Sequence, residues 1–179
     1  MPRISVIPEI SGKFVNLREI TIEDAEFVLM LRCNGKKSKH LHATENNVEK
    51  QIDYIKKYLA LKNEFYFIIE NKANEPIGTL RMYDIKGDCY TGGSWLLIPG
   101  ATPQEALESV LLLKDFAFDV AKFNLEKFDV RKSNKKVVRF HKICGAKIVD
   151  ENDIDCFFEL TKEEFNKKKP QLLAMLGDN

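Results

Sequence analysis

Two hydrophobic periods alternate along this chain. Phe14 to Ile20 repeats at every second residue, as a half-buried strand does. Thr21, with Asp24 three residues on, forms a near capping box that opens a helix carrying Ala25, Phe27, Val28, Leu29 and Leu31. A polar, histidine-bearing loop runs from Asn34 to Asn47, and Val48 to Leu61 is a second helix with Ile52, Ile55 and Leu59 on one stripe. Strands follow at Phe65 to Glu70, Pro76 to Ile85 and Cys89 to Ile98, separated by turns at Asn71 to Glu75 and Lys86-Gly87-Asp88. Gly92-Gly93 interrupts the last of them, which predicts a bulge or a close backbone approach.

Thr102 with Glu105 is a second capping box, and Pro103 takes the first helical position. The helix from Pro103 to about Lys122 is apolar on nearly all sides, through Leu107, Val110 to Leu113 and Phe116 to Phe118. Such a helix is buried, here against a sheet. Lys127 to Arg131 is a strand, Asn134 caps a helix ending near Cys144, and Gly145 stands at the position favoured for glycine after a helix end. Ala146 to Val149 and Ile154 to Leu160 read as a closing hairpin, and Thr161 with Glu164 opens a short helix before Pro170. The order β-α-α-β-β-β-α-β-α-β-β carries no repeat, linker or composition shift, so residues 1–179 are expected to form a single α/β domain.

Charge adds little: 28 lysines and arginines against 27 acids leave a net +1, which gives no reason to expect nucleic acid or an anionic membrane as partner. No apolar run approaches the roughly 20 residues that span a bilayer, and the N-terminus has no run of signal-peptide length. Cys33, Cys89, Cys144 and Cys156 are scattered and fit reduced thiols in a cytoplasmic protein. The three histidines, His40, His42 and His141, show no metal-ligand spacing, and no metal is expected.

A strand, a tight loop, a buried helix and a strand make a crossover unit, and anion sites concentrate at the N-terminus of such a helix. Beyond it stand Asp129-Val130-Arg131-Lys132-Ser133-Asn134, Val137-Val138-Arg139-Phe140-His141 and Cys144-Gly145-Ala146. These stretches, with Leu17-Arg18, Asp24 and Pro76-Ile77-Gly78, resemble the GCN5-related N-acetyltransferase (GNAT) superfamily over almost the whole chain. The resemblance is to its ribosomal-protein and nucleotide-sugar branches. Gly93-Ser94-Trp95, Glu108-Ser109 and Phe140-His141-Lys142 look most like acyltransferases of bacterial O-antigen and capsule loci. It implies a GNAT fold, a mixed, mostly antiparallel sheet of about seven strands flanked by helices. It also implies transfer of an acetyl or other short acyl group from acyl-CoA to an amine, first an amino sugar on a nucleotide diphosphate. The alternatives are a protein N-terminal or ribosomal-protein acetyltransferase, or a non-catalytic acyl-CoA-binding module.

The family's cofactor loop, Q/R-x-x-G-x-G/A, aligns with Ala101 to Ala106, where only Ala106 fits. The amides near Thr102, Gln104, Glu105 and Ala106 would hold the pyrophosphate, with Glu105 competing for the same positive helix end. The resemblance places the pantetheine arm along the edge formed by Trp95, Leu96, Leu97 and Ile98, where a backbone N–H would polarise the thioester. Asn134, Val137 and His141 share a helix face, and seven residues span roughly 10 Å. That spacing suits what the resemblance implies, Asn134 near the pantetheine and His141 near the sulfur where the family usually has a tyrosine acid; the alternative is a helix histidine satisfied by a backbone carbonyl. His40 or His42 would accept the amine's proton, and Arg32, Glu45, Tyr66, Arg81, Tyr83 and Ser94 are acceptor-site candidates. Arg131, Lys132, Lys135, Lys136, Arg139 and Lys142 form a basic cluster that either meets a phosphate or is a solvated helix face.

Overall fold

The computed structural model describes residues 7–33, 47–61 and 64–177. Its sheet comprises β1 (Ile10–Ser11), β2 (Val15–Glu19), β3 (Phe65–Asn71), β4 (Pro76–Lys86), β5 (Cys89–Leu97), β6 (Leu125–Arg131), β7 (Lys147–Glu151) and β8 (Asp155–Thr161). The helices are α1 (Ala25–Cys33), α2 (Val48–Leu61), α3 (Pro103–Asp115), α4 (Lys135–Ile143) and α5 (Lys162–Leu176). Among the described residues the sheet has eight strands in the order β1-β2-β3-β4-β5-β6-β8-β7, one more than expected because the short β1 adds to the edge of β2. All its pairings are antiparallel except that of β5 with β6. A parallel pair needs a long crossover, and α3 supplies it.

The two faces of the sheet carry separate cores. On one, Leu80, Met82, Tyr90, Phe128, Val130 and Phe158 pack with Leu111, Phe116 and Phe165. On the other, Tyr66 and Ile68 pack with Val28, Ile55 and Tyr58. The Leu17-Arg18…Asp24 pattern has a mechanical meaning here. Arg18 grips the Asp24 carboxylate with two hydrogen bonds of 2.7 and 2.8 Å and reaches Glu70 with a third of 2.7 Å. Burial pushes the Asp24 carboxyl up, but the hydrogen bonds from Arg18 and Thr21 together with the Arg18 charge outweigh it and leave it below its ordinary value. Asp24 also accepts from the Thr21 amide at 2.8 Å, so one carboxylate ties β2 to the turn that opens α1.

Three local details depart from the sequence reading. The α3 helix ends at Asp115, and Phe116–Val120 forms a π-helical turn that continues it. Strand β6 starts at Leu125, two residues before Lys127. The last helix runs through Pro170 to Leu176 rather than stopping before it. A proline costs the bond to the carbonyl four residues back, and here that residue, Asn166, lies on the exposed side where water can serve instead.

One buried side chain fastens the N-terminal edge to α3. Glu108, 6% exposed, accepts hydrogen bonds from three successive backbone amides: Lys13 at 2.8 Å, Phe14 at 2.6 Å and Val15 at 2.8 Å. Gly12 has no room for a side chain beneath it, since a Cβ would stand 2.5 Å from the Glu108 carboxyl. Replacing Glu108 by alanine strands these amides away from water. Each orphaned donor costs about 1–3 kcal/mol, so Glu108→Ala is expected to lose about 3 kcal/mol or more, read as a fall in urea midpoint, with Glu108→Gln intermediate.

Candidate functional site

The parallel pairing of β5 and β6 is brief. Cys89, Tyr90 and Thr91 pair with Leu125, Glu126 and Lys127, and beyond them the strands part. Strand β5 stays with β4, but Leu80 faces two residues, Ser94 and Trp95, between the pairs Arg81↔Gly93 and Thr79↔Leu96. This is a bulge. Ser94 adopts a left-handed backbone with φ of 51°, and its carbonyl accepts from the Thr79 hydroxyl at 2.7 Å. The expected irregularity at Gly92-Gly93 therefore falls one residue later, with Gly93 as its flank. Tyr83 explains Gly93: a Cβ there would meet the ring at 2.8 Å and the hydroxyl at 2.9 Å.

Between the parted strands lies a cavity of about 150 Å³. Its walls bring together Ser94, Trp95, Asn134, Val137 and His141, five of the residues singled out in the sequence. Asn134 stands at the start of α4, yet its side chain makes no capping bond, contrary to the expected N-cap. Leu96 and Leu97 continue β5 with buried side chains, and the Ile98 amide returns to the Ile77 carbonyl at 2.9 Å. The edge expected to carry the pantetheine is thus paired on the β4 side and unpaired toward β6.

His141 stands in an aromatic box, with ring centroids of Phe128 at 4.3 Å, Phe140 at 5.5 Å, Trp95 at 6.1 Å and Phe158 at 6.1 Å. Its Nδ1 and the Trp95 Nε1 are buried with no hydrogen-bond partner among the described residues. Burial, helped by the Lys114 charge, pushes His141 down to about 3. The ring is therefore neutral at physiological pH, and any proton it offers comes from a neutral imidazole rather than an imidazolium, which narrows the role expected from the sequence.

Two residues at the apex were not singled out in the sequence. Lys114 of α3 and Glu126 of β6, 1% and 3% exposed, form a buried ion pair, and the Lys114 ammonium lies 5.9 Å from the Phe128 centroid. A Cβ on Gly92 would stand 2.2 Å from Glu126 Oε1, so the first glycine of the pair makes room for this carboxylate. The signal for Lys114 was present, a lysine within an otherwise apolar helix.

At the start of α3 the fit to a pyrophosphate is incomplete. The Thr102 amide donates to Glu105 Oε2 at 2.7 Å, the Glu105 amide to the Thr102 hydroxyl at 3.2 Å, and the Ala106 amide to the Thr102 carbonyl at 3.0 Å. Two of the four expected donors are thus satisfied by the capping box and a third, the Ala106 amide, by the first backbone bond of the helix, which leaves the Gln104 amide. An anion at this end must displace Glu105. The basic cluster is partly neutralised: Lys132 pairs with Glu151 at 3.1 Å and Arg131 with Asp155 at 3.4 Å, while Lys132, Lys135, Arg139 and Lys142 line an open groove.

The opposite face of the sheet carries the acceptor-site candidates. Arg81 is surrounded by the rings of Tyr66 at 5.0 Å, Tyr83 at 5.1 Å and Tyr54 at 5.4 Å, and pairs with Glu64. Arg32 acts on Tyr66 and Tyr54, and burial pushes the Tyr66 hydroxyl up to about 12 against both arginines. His40, His42 and Glu45 lie outside the described residues. Among the described residues no cluster could hold a metal ion, and no helix is long and apolar enough to cross a membrane.

The neutral His141 sets a pH dependence. Its folded value is below its unfolded one, so the unfolded chain takes up a proton first as pH falls. Stability is expected to decline between about pH 6.5 and 3 with a slope of about 1.4 kcal/mol per pH unit from this group. Urea midpoints of the wild type and His141→Gln, measured from about pH 7.5 to about pH 4.5, should converge as the pH is lowered.

The comparisons agree with this geometry. A family described as an acetyltransferase (GNAT) domain matches residues 15–147. The solved structure described as apo FdhC, a nucleotide-linked sugar GNAT, is similar at 31% identity and a TM-score of 0.86, covering 96% of this chain and 100% of the other. A GCN5-related N-acetyltransferase from Brucella melitensis shares the fold at 16% identity and a TM-score of 0.79, over 98% of this chain and 89% of that one. A mutant spermidine/spermine N-acetyltransferase SpeG from Vibrio cholerae shares it at 14% identity and 0.77, over 88% and 99%. No curated protein matches the chain. The chain belongs to the GNAT acetyltransferase family, whose members use acetyl-CoA or another acyl-CoA as co-substrate.

Proposed function

We propose that this protein transfers an acetyl or other short acyl group from acyl-CoA to the amine of a sugar carried on a nucleotide diphosphate. The observation that carries the reading is the 31% identity to a nucleotide-linked sugar GNAT over nearly the whole of both chains. The likeness to the spermidine enzyme, at 14% identity, speaks for the fold alone.

The acceptor face supports this substrate. A diphosphate is well met by guanidinium groups, and Arg81 and Arg32 stand together among tyrosines whose rings can pack against a sugar or base. The pantetheine of the acyl-CoA would lie between β5 and β6 along Trp95, Leu96, Leu97 and Ile98, near Asn134 and Val137. Its pyrophosphate would lie at the Thr102–Ala106 turn after Glu105 gives way. His141, neutral in its aromatic box, would donate a hydrogen bond to the departing sulfur. The protein would act in the cytoplasm, where nucleotide sugars and acyl-CoA are both at hand.

The test measures acyl-CoA binding by calorimetry and thiol release with three kinds of amine: UDP- and dTDP-linked amino sugars, spermidine, and peptides with free N-termini. Turnover confined to the sugars is expected. Turnover on peptides alone replaces the acceptor with a protein N-terminus, and binding without any turnover makes the chain an acyl-CoA-binding module. His141→Ala should lower kcat on the order of 10²-fold, the scale of one lost transition-state donor, with acyl-CoA affinity nearly unchanged. The wild-type kcat should show no inflection near the ordinary histidine value, because the ring stays neutral throughout.

A further inference from the structure

The parting of β5 and β6 leaves two positions facing each other across a gap. The last parallel pair is Thr91↔Lys127, and the preceding pairs advance one residue at a time on both strands. Continued in register, Gly93 would oppose Asp129. The bulge at Ser94 carries β5 away, so the Gly93 backbone and Asp129 instead stand on opposite lips of the cavity, and both line it.

The face is equally defined. Along β6, Glu126, Phe128 and Val130 are buried toward α3 and α4, whereas Lys127 and Asp129 are exposed on the other side. On that side lie the residues paired in register with β5: Tyr83 opposite Thr91, and Arg81 opposite Gly93. Tyr83 leans over Gly93, its hydroxyl 2.9 Å from where a Cβ would be. Burial and, next, the Asp129 charge push the Tyr83 hydroxyl up, as expected if the two share the mouth of the gap.

Asp129 is also uncommitted. Glu64 pairs with Arg81, and Glu126 pairs with Lys114 on the buried face. No hydrogen bond or ion pair among the described residues engages the Asp129 carboxylate, whose backbone pairs with β8. Of the acids lining the cavity, Glu126 and Asp129, only Asp129 is free and faces Arg81 and the tyrosines.

We infer that Asp129 is the general base of acyl transfer, taking the proton of the acceptor amine on the face of the sheet opposite His141; the inference rests on the acyl-transfer reading. The neutral amine attacks the thioester carbonyl carbon, a C–N bond forms, and the C=O π pair moves to oxygen. The nitrogen of this adduct bears a positive charge, and its N–H is far more acidic than a free ammonium, so a carboxylate suffices to remove it. Asp129 takes that proton. The oxyanion then re-forms the carbonyl, the C–S bond breaks with its pair on sulfur, and the thiolate collects a proton, so that amine and thioester become amide and thiol. Attack from one face and departure toward the other keep the two proton transfers apart.

The experiment uses Asp129→Asn, Asp129→Glu and the wild type, with acetyl-CoA and whichever amine of the panel above turns over. Asp129→Asn is expected to bind acetyl-CoA as the wild type does and to lose roughly 10²- to 10³-fold in kcat near neutral pH. The loss should shrink at alkaline pH, where hydroxide substitutes for the missing base, and Asp129→Glu should recover part of the rate. A kcat for Asp129→Asn within about threefold of wild type, or a loss that is uniform with pH and not relieved by glutamate, overturns the assignment and leaves the acyl-transfer reading intact. Absence of thiol release from the wild type with every amine overturns that reading, and this role with it.

Discussion

Strand β5 has two partners for three residues and one partner thereafter, and the site follows from that loss. Unpaired backbone groups inside a protein are costly, so a sheet that opens midway needs something to hold the lips apart. Three devices do so here. The left-handed Ser94 turns β5 outward and is held by Thr79. The Lys114–Glu126 pair occupies the apex where the strands would otherwise zip on. Trp95, Phe128, Phe140 and His141 stack into a wall along the opening. A buried ion pair is weak evidence for stability, since desolvation offsets most of its attraction. Its place at the apex gives it a different use, as a polar wedge that neither strand can replace with backbone pairing.

The same opening sorts charge by face. Beneath the sheet the environment is dry enough, with the Lys114 charge nearby, to hold His141 neutral. Above it, Asp129, Glu64, Tyr54 and Tyr83 sit at a wetter surface around Arg81. An amine and a polar acceptor belong to the second environment and a soft sulfur leaving group to the first. The sheet itself is the partition, and the gap is the one place where groups from both sides meet.

Periodicity and capping made most of this fold legible in the chain. The Thr102–Glu105 box, the Arg18…Asp24 pattern and the long apolar helix all correspond to observed contacts. What escaped was long-range pairing of charge. Glu126 sits one residue before the expected strand, and nothing local reveals that its partner is Lys114, twelve residues back in a helix. Asp129 alternates with buried neighbours as any solvated strand residue does, and only the register with β5 sets it across from Gly93. The neutral state of His141 arises from four rings brought together by β5, β6, α4 and β8, which no window along the sequence contains. The helix through Pro170 shows the converse: a strong local stop signal is overridden when the freed carbonyl lies on an exposed turn.

The glycine at 92 and the glutamate at 126 also bind each other historically. With Oε1 only 2.2 Å from where a methyl would sit, alanine at 92 would push the Glu126 carboxylate from its place beside Lys114. Shortening 126 first would strand the Lys114 ammonium in the core, so neither position can drift alone without passing through a damaged protein. Among descendants of this sequence the three sites should change together or not at all, and an alanine at 92 should be found only on backgrounds that have already given up both charges.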